Sequence, residues 1–155
     1  MKTILLSLKA PVFNNVHSGK KIFEHRKCFP DEPIKAYIYV SSPVKAISGI
    51  LYLSNKTSLH DLRKKYEFDQ SCVSRIDDYL NRGYQYVMQI DKYIATNEIK
   101  LDCLRKELSK FVVPQMYYFI DNTDLLTYLN NNLLNTGYEI NNTFDHITSN
   151  MICIN

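Results

Sequence analysis

Four residues near the start of the chain have the types and spacing to do chemistry together, in the pattern Gly19-x-Lys21-x-x-Glu24-x-Arg26. Lys21 offers an ammonium, Arg26 a guanidinium and Glu24 a carboxylate. The cations suit phosphate or the anionic edge of a ligand, and the carboxylate suits base N–H donors while Arg26 offsets its charge. Glycine at 19 fits a helix end, where a left-handed residue without Cβ carries no steric penalty. Beyond it, Ile22-Phe23-Glu24-His25-Arg26 reads as a strand. Alternation at period two puts Ile22, Glu24 and Arg26 on one face and Phe23 and His25 on the other. With Lys21 at the hinge between helix and strand, the three charges aim at a common volume. Taken alone, the same charges also describe a solvated strand face that keeps a sheet edge soluble.

The elements that must position them are legible on both sides. Ile4-Leu5-Leu6-Ser7-Leu8-Lys9 is a strand, and Pro11 then opens a helix whose inner face carries Val12, Phe13 and Val16. Phe29-Pro30-Asp31-Glu32-Pro33 breaks the chain after the charged strand. Tyr37-Ile38-Tyr39-Val40 and Val44-Lys45-Ala46-Ile47-Ser48-Gly49-Ile50 are β-rich runs around Ser41-Ser42-Pro43, where Pro43 requires a turn or a sheet edge.

With these neighbours, the signature resembles the GxKxxExR motif of the ASCH family, a group of PUA-like β-barrels, and all of its fixed positions are filled. The opening strand ending in Ser7-x-Lys9, the Ser41-Ser42-Pro43 turn, the glycine-bearing strand after it and Val113-Pro114-Gln115 are similar to that family too. The likeness runs over residues 3–120 and is that of a small prokaryotic-type member. It implies an α+β fold, a PUA-like small mixed β-barrel with flanking short helices. The domain would span residues 1–120, with residues 121–155 as a C-terminal extension. It also implies RNA or nucleotide binding in a pocket lined by Lys21, Glu24 and Arg26, with Ser7, Lys9, Ser41 and Ser42 completing the wall. Tyr39 and Tyr86 are the candidates for base stacking. No cofactor or metal is implied.

The alternative implied by the family is a small hydrolase acting on acetylated cytidine or on RNA, with Lys21 and Glu24 catalytic. The acetylcytidine reaction uses a hydroxyl nucleophile three residues after the lysine, and Glu24 stands there instead. Glu67 and Asp69 are the nearest counterparts of its catalytic glutamate. Glu24 as general base for a water, with Lys21 as acid or oxyanion stabiliser, is the chemistry then left. A third reading makes the barrel a scaffold and a C-terminal leucine stripe an interaction surface.

Composition fits a single domain with a true core: the chain has 155 residues, 45% hydrophobic, and twelve Tyr and seven Phe in place of any Trp. Charge is unevenly spread. Residues 1–50 hold eight Lys/Arg against three Asp/Glu, residues 51–120 eleven against nine, and residues 121–155 none against four. A basic N-terminal half suits a polyanion. Cys28, Cys72, Cys103 and Cys153 form no Cys-x-x-Cys pair and no set with the histidines, so scattered thiols and a reducing, cytoplasmic setting are expected, with no zinc site. No run reaches the roughly 18 apolar residues a membrane span needs. His25, opposite Glu24 and Arg26, reads as a core or surface residue.

Further along, the period changes to helical. Ser58 caps a helix through Leu59, Leu62 and Tyr66, and Ser71 caps another carrying Cys72, Val73, Ile76 and Leu80, with Gly83 past its end. Tyr84 to Tyr93 alternates as a strand, Leu101 to Leu108 is a short helix, and Phe111 to Pro114 and Met116 to Ile120 are closing β-segments. Asn122 or Thr123 caps a helix with Leu125, Leu126, Leu129, Leu133 and Leu134 on one stripe, ended by Gly137. The Asn/Thr-rich residues after it give no structural signal.

Overall fold

The computed structural model describes residues 1–155. Its frame is a parallel pair, β1 (Lys2–Leu8) and β3 (Ile34–Val40), in register from Lys2 opposite Ile34 to Leu8 opposite Val40. Both strands are nearly all apolar because both faces are covered. Ile4, Leu6 and Leu8 point with Ile34, Ala36, Ile38 and Val40 into one core, and Leu5, Tyr37 and Tyr39 into a second core on the other face. The return between them carries α1 (Ala10–His17) and β2 (Phe23–Arg26).

The remaining ladders are antiparallel. β4 (Ala46–Ser58) pairs with β3, and β5 (Tyr86–Thr96) pairs with both β4 and β2. β7 (Tyr117–Phe119) closes the far side against β1, giving the order β2-β5-β4-β3-β1-β7. β6 (Ile99–Lys100) adds to β4, and β8 (Asn135–Asn141) adds to β5. The sheet is strongly curled. Arg26, on the β2 edge, reaches the Ser7 carbonyl on β1 with Nη2 at 3.2 Å, although three strands lie between them along the ladder. The result is a mixed, curled half-barrel with helices around it, the α+β architecture expected. Six strands form the main path, and β6 and β8 attach beside it.

Five helices flank the sheet. In α2 (Leu59–Lys65) the Ser58 side chain accepts from the His60 amide, as its sequence indicates. α3 (Gln70–Asn81) starts earlier than Ser71: Asp69 is the cap, accepting from the Ser71 and Cys72 amides. A charged acceptor at the positive helix end outcompetes the hydroxyl. α4 (Leu101–Glu107) packs Leu101 and Leu104 into the second core. α5 (Asp124–Asn132) is capped by Thr123. Its Leu125 and Leu129 are buried in that core and Leu126 and Leu133 pack against it, while Leu134 stays exposed. The helix stops at Asn132, and Gly137 lies within β8 instead of ending it. Phe111 to Pro114 is irregular coil; Phe111 and Val113 are used as plugs for the second core, and Pro114 lacks the N–H that a ladder needs.

Residues 121–155 are thus built into the same body as the rest. After β8, the chain crosses to α3, where Ile152 and Cys153 are buried in a third core with Phe23, Leu59, Ile76 and Tyr79. Cys72, in the same core, is a free thiol, as are the other three cysteines. No helix is long and apolar enough to cross a membrane.

One glycine is fixed by close approach. Gly49, in β4, has φ +94°, and a Cβ there would stand 2.9 Å from the Tyr93 ring. Its amide also donates to Thr96 Oγ1 at 2.7 Å. Gly49→Ala should therefore destabilise by about 1–3 kcal/mol. In urea denaturation this appears as a lower midpoint at unchanged slope.

Candidate functional site

The site grows from the turn after α1. Gly19 takes φ +81°, and the Lys21 amide donates back to the Asn15 carbonyl at 2.9 Å, so the chain leaves the helix already extended. β2 then pairs with β5, with Phe23 opposite Gln89, Glu24 opposite Met88, His25 opposite Val87 and Arg26 opposite Tyr86.

Period two sorts the side chains by parity. Glu24 and Arg26 lie together, Arg26 Nε 3.7 Å from Glu24 Oε1, with the side chains 6% and 12% exposed. Glu24 Oε1 also accepts from the His25 amide at 3.0 Å. Lys21 has the parity of Phe23 and His25. Its ammonium, on a residue only 2% exposed, donates to His25 Nδ1 at 3.2 Å and to the Ile154 carbonyl at 2.8 Å. Lys21 makes no ion pair with Glu24: its ammonium is held by His25 and Ile154, while Glu24 pairs with Arg26, near enough for both charges to act on Lys21. Nor is the strand a solvated face, since Lys21, Glu24 and His25 are all buried.

An ammonium can only donate, so His25 Nδ1 is the acceptor and its proton sits on Nε2. The imidazole stacks on Tyr79 of α3, ring centroids 4.4 Å apart. Arg82 lies over the other ring environment of Tyr79, 4.4 Å from its centroid. Burial, first, and then the Lys21, Arg82 and Arg26 charges hold the His25 pKa well below its ordinary value. Burial likewise lowers that of Lys21, against the opposing pull of Glu24. Three buried polar atoms in this cluster have no hydrogen-bond partner, and all belong to consecutive residues: Glu24 Oε2, His25 Nε2 and Arg26 Nε.

Of the other expected residues, Ser7 joins the site through its carbonyl on Arg26. Lys9 is exposed at the start of α1, half-buried Ser41 anchors its amide on the Leu8 carbonyl at 2.9 Å, and Ser42 is exposed in the β3–β4 turn. They stand at the end of β1, with no side-chain contact to the signature. Tyr39 is 2% exposed in the second core and has no face to offer a base. Tyr86 is half-buried, with Lys56 Nζ 4.1 Å from its ring centroid. Tyr79 and the Ile154 carbonyl were missed by sequence reasoning. Tyr79 does follow Cys72 and Ile76 at helical spacing, a stripe that marks it as inward-facing.

Two cavities lie elsewhere. One of about 410 Å³ is bounded by Gly19, Lys20 and Ile22 and, across from them, Asn142, His146 and Met151. A cleft of about 640 Å³ between Leu108, Phe111, Tyr118 and Leu125 is lined by none of the signature residues. No three His, Cys, Asp or Glu side chains come together as metal ligands would.

A curled mixed half-barrel with a helix-to-strand turn feeding its edge defines a class: the fold is that of the ASCH proteins. Solved structures carry this likeness. The crystal structure of ASCH from Zymomonas mobilis superposes with a TM-score of 0.68 at 22% identity, covering 86% of this chain and 97% of that one. Two variants of the same protein, one with a tyrosine changed to phenylalanine and one with a serine changed to alanine, superpose with TM-scores of 0.61 at 20% and 21% identity. They cover 84% and 83% of this chain, and 98% and 95% of theirs. No family model and no curated protein matches the sequence.

Proposed function

We propose that this is an RNA- or nucleotide-binding ASCH-type protein whose ligand engages Lys21, Glu24 and Arg26, with Ser7, Lys9, Ser41 and Ser42 along the path of the chain it binds. The observation that carries this reading is the run of unpartnered atoms on residues 24–26. A buried polar group without a partner costs about 1–3 kcal/mol, so such groups are rare unless something else satisfies them. Glu24 Oε2 is an acceptor and Arg26 Nε a donor, side by side. That pair complements an N–H next to a C=O, the edge shared by uracil and guanine. Lys21, buried and with a lowered pKa, suits a neutral carbonyl oxygen better than a phosphate. Exposed Lys9, Lys20 and Lys27 are then the side chains for the phosphates. Free cysteines suit the cytoplasmic setting proposed for such a protein.

The hydrolase reading draws support from Lys21, an amine biased toward neutrality as a catalytic base would be. Against it, Lys21 spends its ammonium on His25 and the Ile154 carbonyl and makes no ion pair with Glu24, and Glu24 replaces the hydroxyl nucleophile. Glu24→Gln separates the two. Under the binding reading, calorimetry with uridine and guanosine nucleotides should show at least about tenfold weaker binding in the variant, equivalent to about 1.4 kcal/mol, with the fold retained. A catalytic Glu24 would instead lose turnover on RNA or acetylcytidine while keeping affinity. Wild-type affinity and wild-type turnover together would reject both readings.

The phosphate part has its own test. Affinity for a short single-stranded RNA should fall steeply with salt, and Lys20→Ala or Lys27→Ala should each flatten the log–log slope by about one unit. A salt-independent affinity would mean that the backbone is not read.

A further inference from the structure

Lys21 already has an occupant. The segment 149–155 returns over β2 and places the Ile154 carbonyl 2.8 Å from the Lys21 ammonium. Beside it, the Asn155 carboxamide accepts from the Tyr79 hydroxyl, and the Asn155 carbonyl accepts from Asn15 Nδ2 at 2.5 Å. The strap offers Lys21 a backbone carbonyl and Tyr79 a carboxamide oxygen, both neutral acceptors. These are the groups that a nucleobase or an acyl amide would present.

The strap is fastened by groups outside the signature. Arg75, on α3, donates through Nη2 to the Ser149 carbonyl at 2.7 Å and through Nε to the Ile152 carbonyl at 3.3 Å. Ser149 also bonds Asp69, the cap of the same helix. Upstream, residues 142–148 form no helix or strand and are held by Asn142 on the Ile90 and Asp91 carbonyls and by Phe144 and Ile147 against the third core. The segment is thus a short fastened arm after an irregular run, and its inner end lies on a buried cation.

We propose that residues 149–155 are a built-in competitor of the ligand, holding the Lys21 carbonyl site closed until a ligand carbonyl displaces Ile154. This rests on the binding reading above. The strap satisfies Lys21, which would otherwise be a buried ammonium with a single acceptor, while Glu24 Oε2 and Arg26 Nε stay buried and unpartnered. A ligand carbonyl then gains Lys21 only when the strap lifts. Apparent affinity is reduced by the fraction of molecules in which the strap is closed.

The test uses the full chain and a short single-stranded RNA. Arg75→Ala combined with Asn155→Ala loosens the strap without touching Lys21, Glu24 or Arg26. The double variant should bind the RNA about three- to tenfold more tightly, as the closed fraction falls. In the wild type, backbone amides of residues 150–154 should exchange faster with solvent when RNA is saturating. Should the double variant lose its fold, since Ile152 and Cys153 are core residues, the exchange experiment on the wild type decides alone. RNA-saturated wild type whose strap amides exchange no faster overturns the competitor, while leaving the binding reading standing. Absence of RNA binding in both proteins overturns the binding reading, and the competitor with it.

Discussion

Arg26→Met should cost about 3 kcal/mol of stability, and adding Glu24→Gln should return a large part of that loss. Methionine keeps the apolar stem of Arg26 and removes only the guanidinium. Glu24 would then be a carboxylate only 6% exposed, with the His25 amide at 3.0 Å as its remaining hydrogen-bond donor. Breaking a buried pair from one side is far costlier than replacing both members, because the survivor keeps its desolvation penalty without its counter-charge. In the double variant no buried charge is orphaned. The glutamine can still accept from the His25 amide, and the main loss is the bond to the Ser7 carbonyl. For a chain of this size the single variant should melt roughly 6–12 °C lower. Chemical denaturation of the wild type, both single variants and the double variant closes the cycle. A single-variant loss under about 1 kcal/mol, the range of exposed pairs, would mean that water reaches the carboxylate. The site would then be an open face rather than a recess in the half-barrel.

What the sequence reveals here is mostly what is decided within a few residues. Gly19 at a left-handed helix end, Ser58 and Thr123 as caps, and the alternation in β1 and β3 all follow from local backbone physics. The signature strand was legible in the same way, including which side chains share a face. Lys21 lies between α1 and β2 as its sequence indicates, but the destination of its ammonium, His25 and the distant Ile154 carbonyl, depends on how the last residues dock. Ser71 lost the α3 cap to Asp69, a competition between two good candidates that local signals rank poorly. Phe111 to Pro114 has strand-like composition, yet its apolar side chains are spent filling the second core. Tyr39 and Tyr79 show the limit most clearly. Both are tyrosines on regular elements, but one is sealed between α4 and β3 and the other stacks on the signature histidine, a difference set wholly by how distant elements dock. The strap is the extreme case. Isolated Ile152 and Cys153 in an Asn-rich run carry no periodicity, and only the assembled third core gives them a place.

His25 should make the protein lose stability as pH falls from 6.5 toward 5. In the fold the imidazole is 4% exposed and already accepts from an ammonium through Nδ1. The charged groups around it are Lys21, Arg82 and Arg26, all cationic, with Glu24 beyond its own backbone amide. A second positive charge is therefore disfavoured, and the folded chain keeps this histidine neutral well below the ordinary value of 6.5. The unfolded chain has no such surroundings and takes up its proton there. Below that value the unfolded state binds a proton that the folded state refuses, so the unfolding free energy falls with decreasing pH. The slope approaches about 1.4 kcal/mol per pH unit for one proton, and levels off only beneath the depressed folded value. The lowered carboxyls of Asp69 and Asp77 act later, since their stabilisation is lost only as pH drops below the ordinary 3.8. The interval from 6.5 to 5 thus isolates the histidine. His25→Phe retains a ring to stack on Tyr79 and has nothing to titrate, so its urea midpoint should be nearly level across the same interval. A wild-type midpoint that is equally level would place the imidazole in contact with solvent, and a slope that persists in the phenylalanine variant would assign the titration to another group.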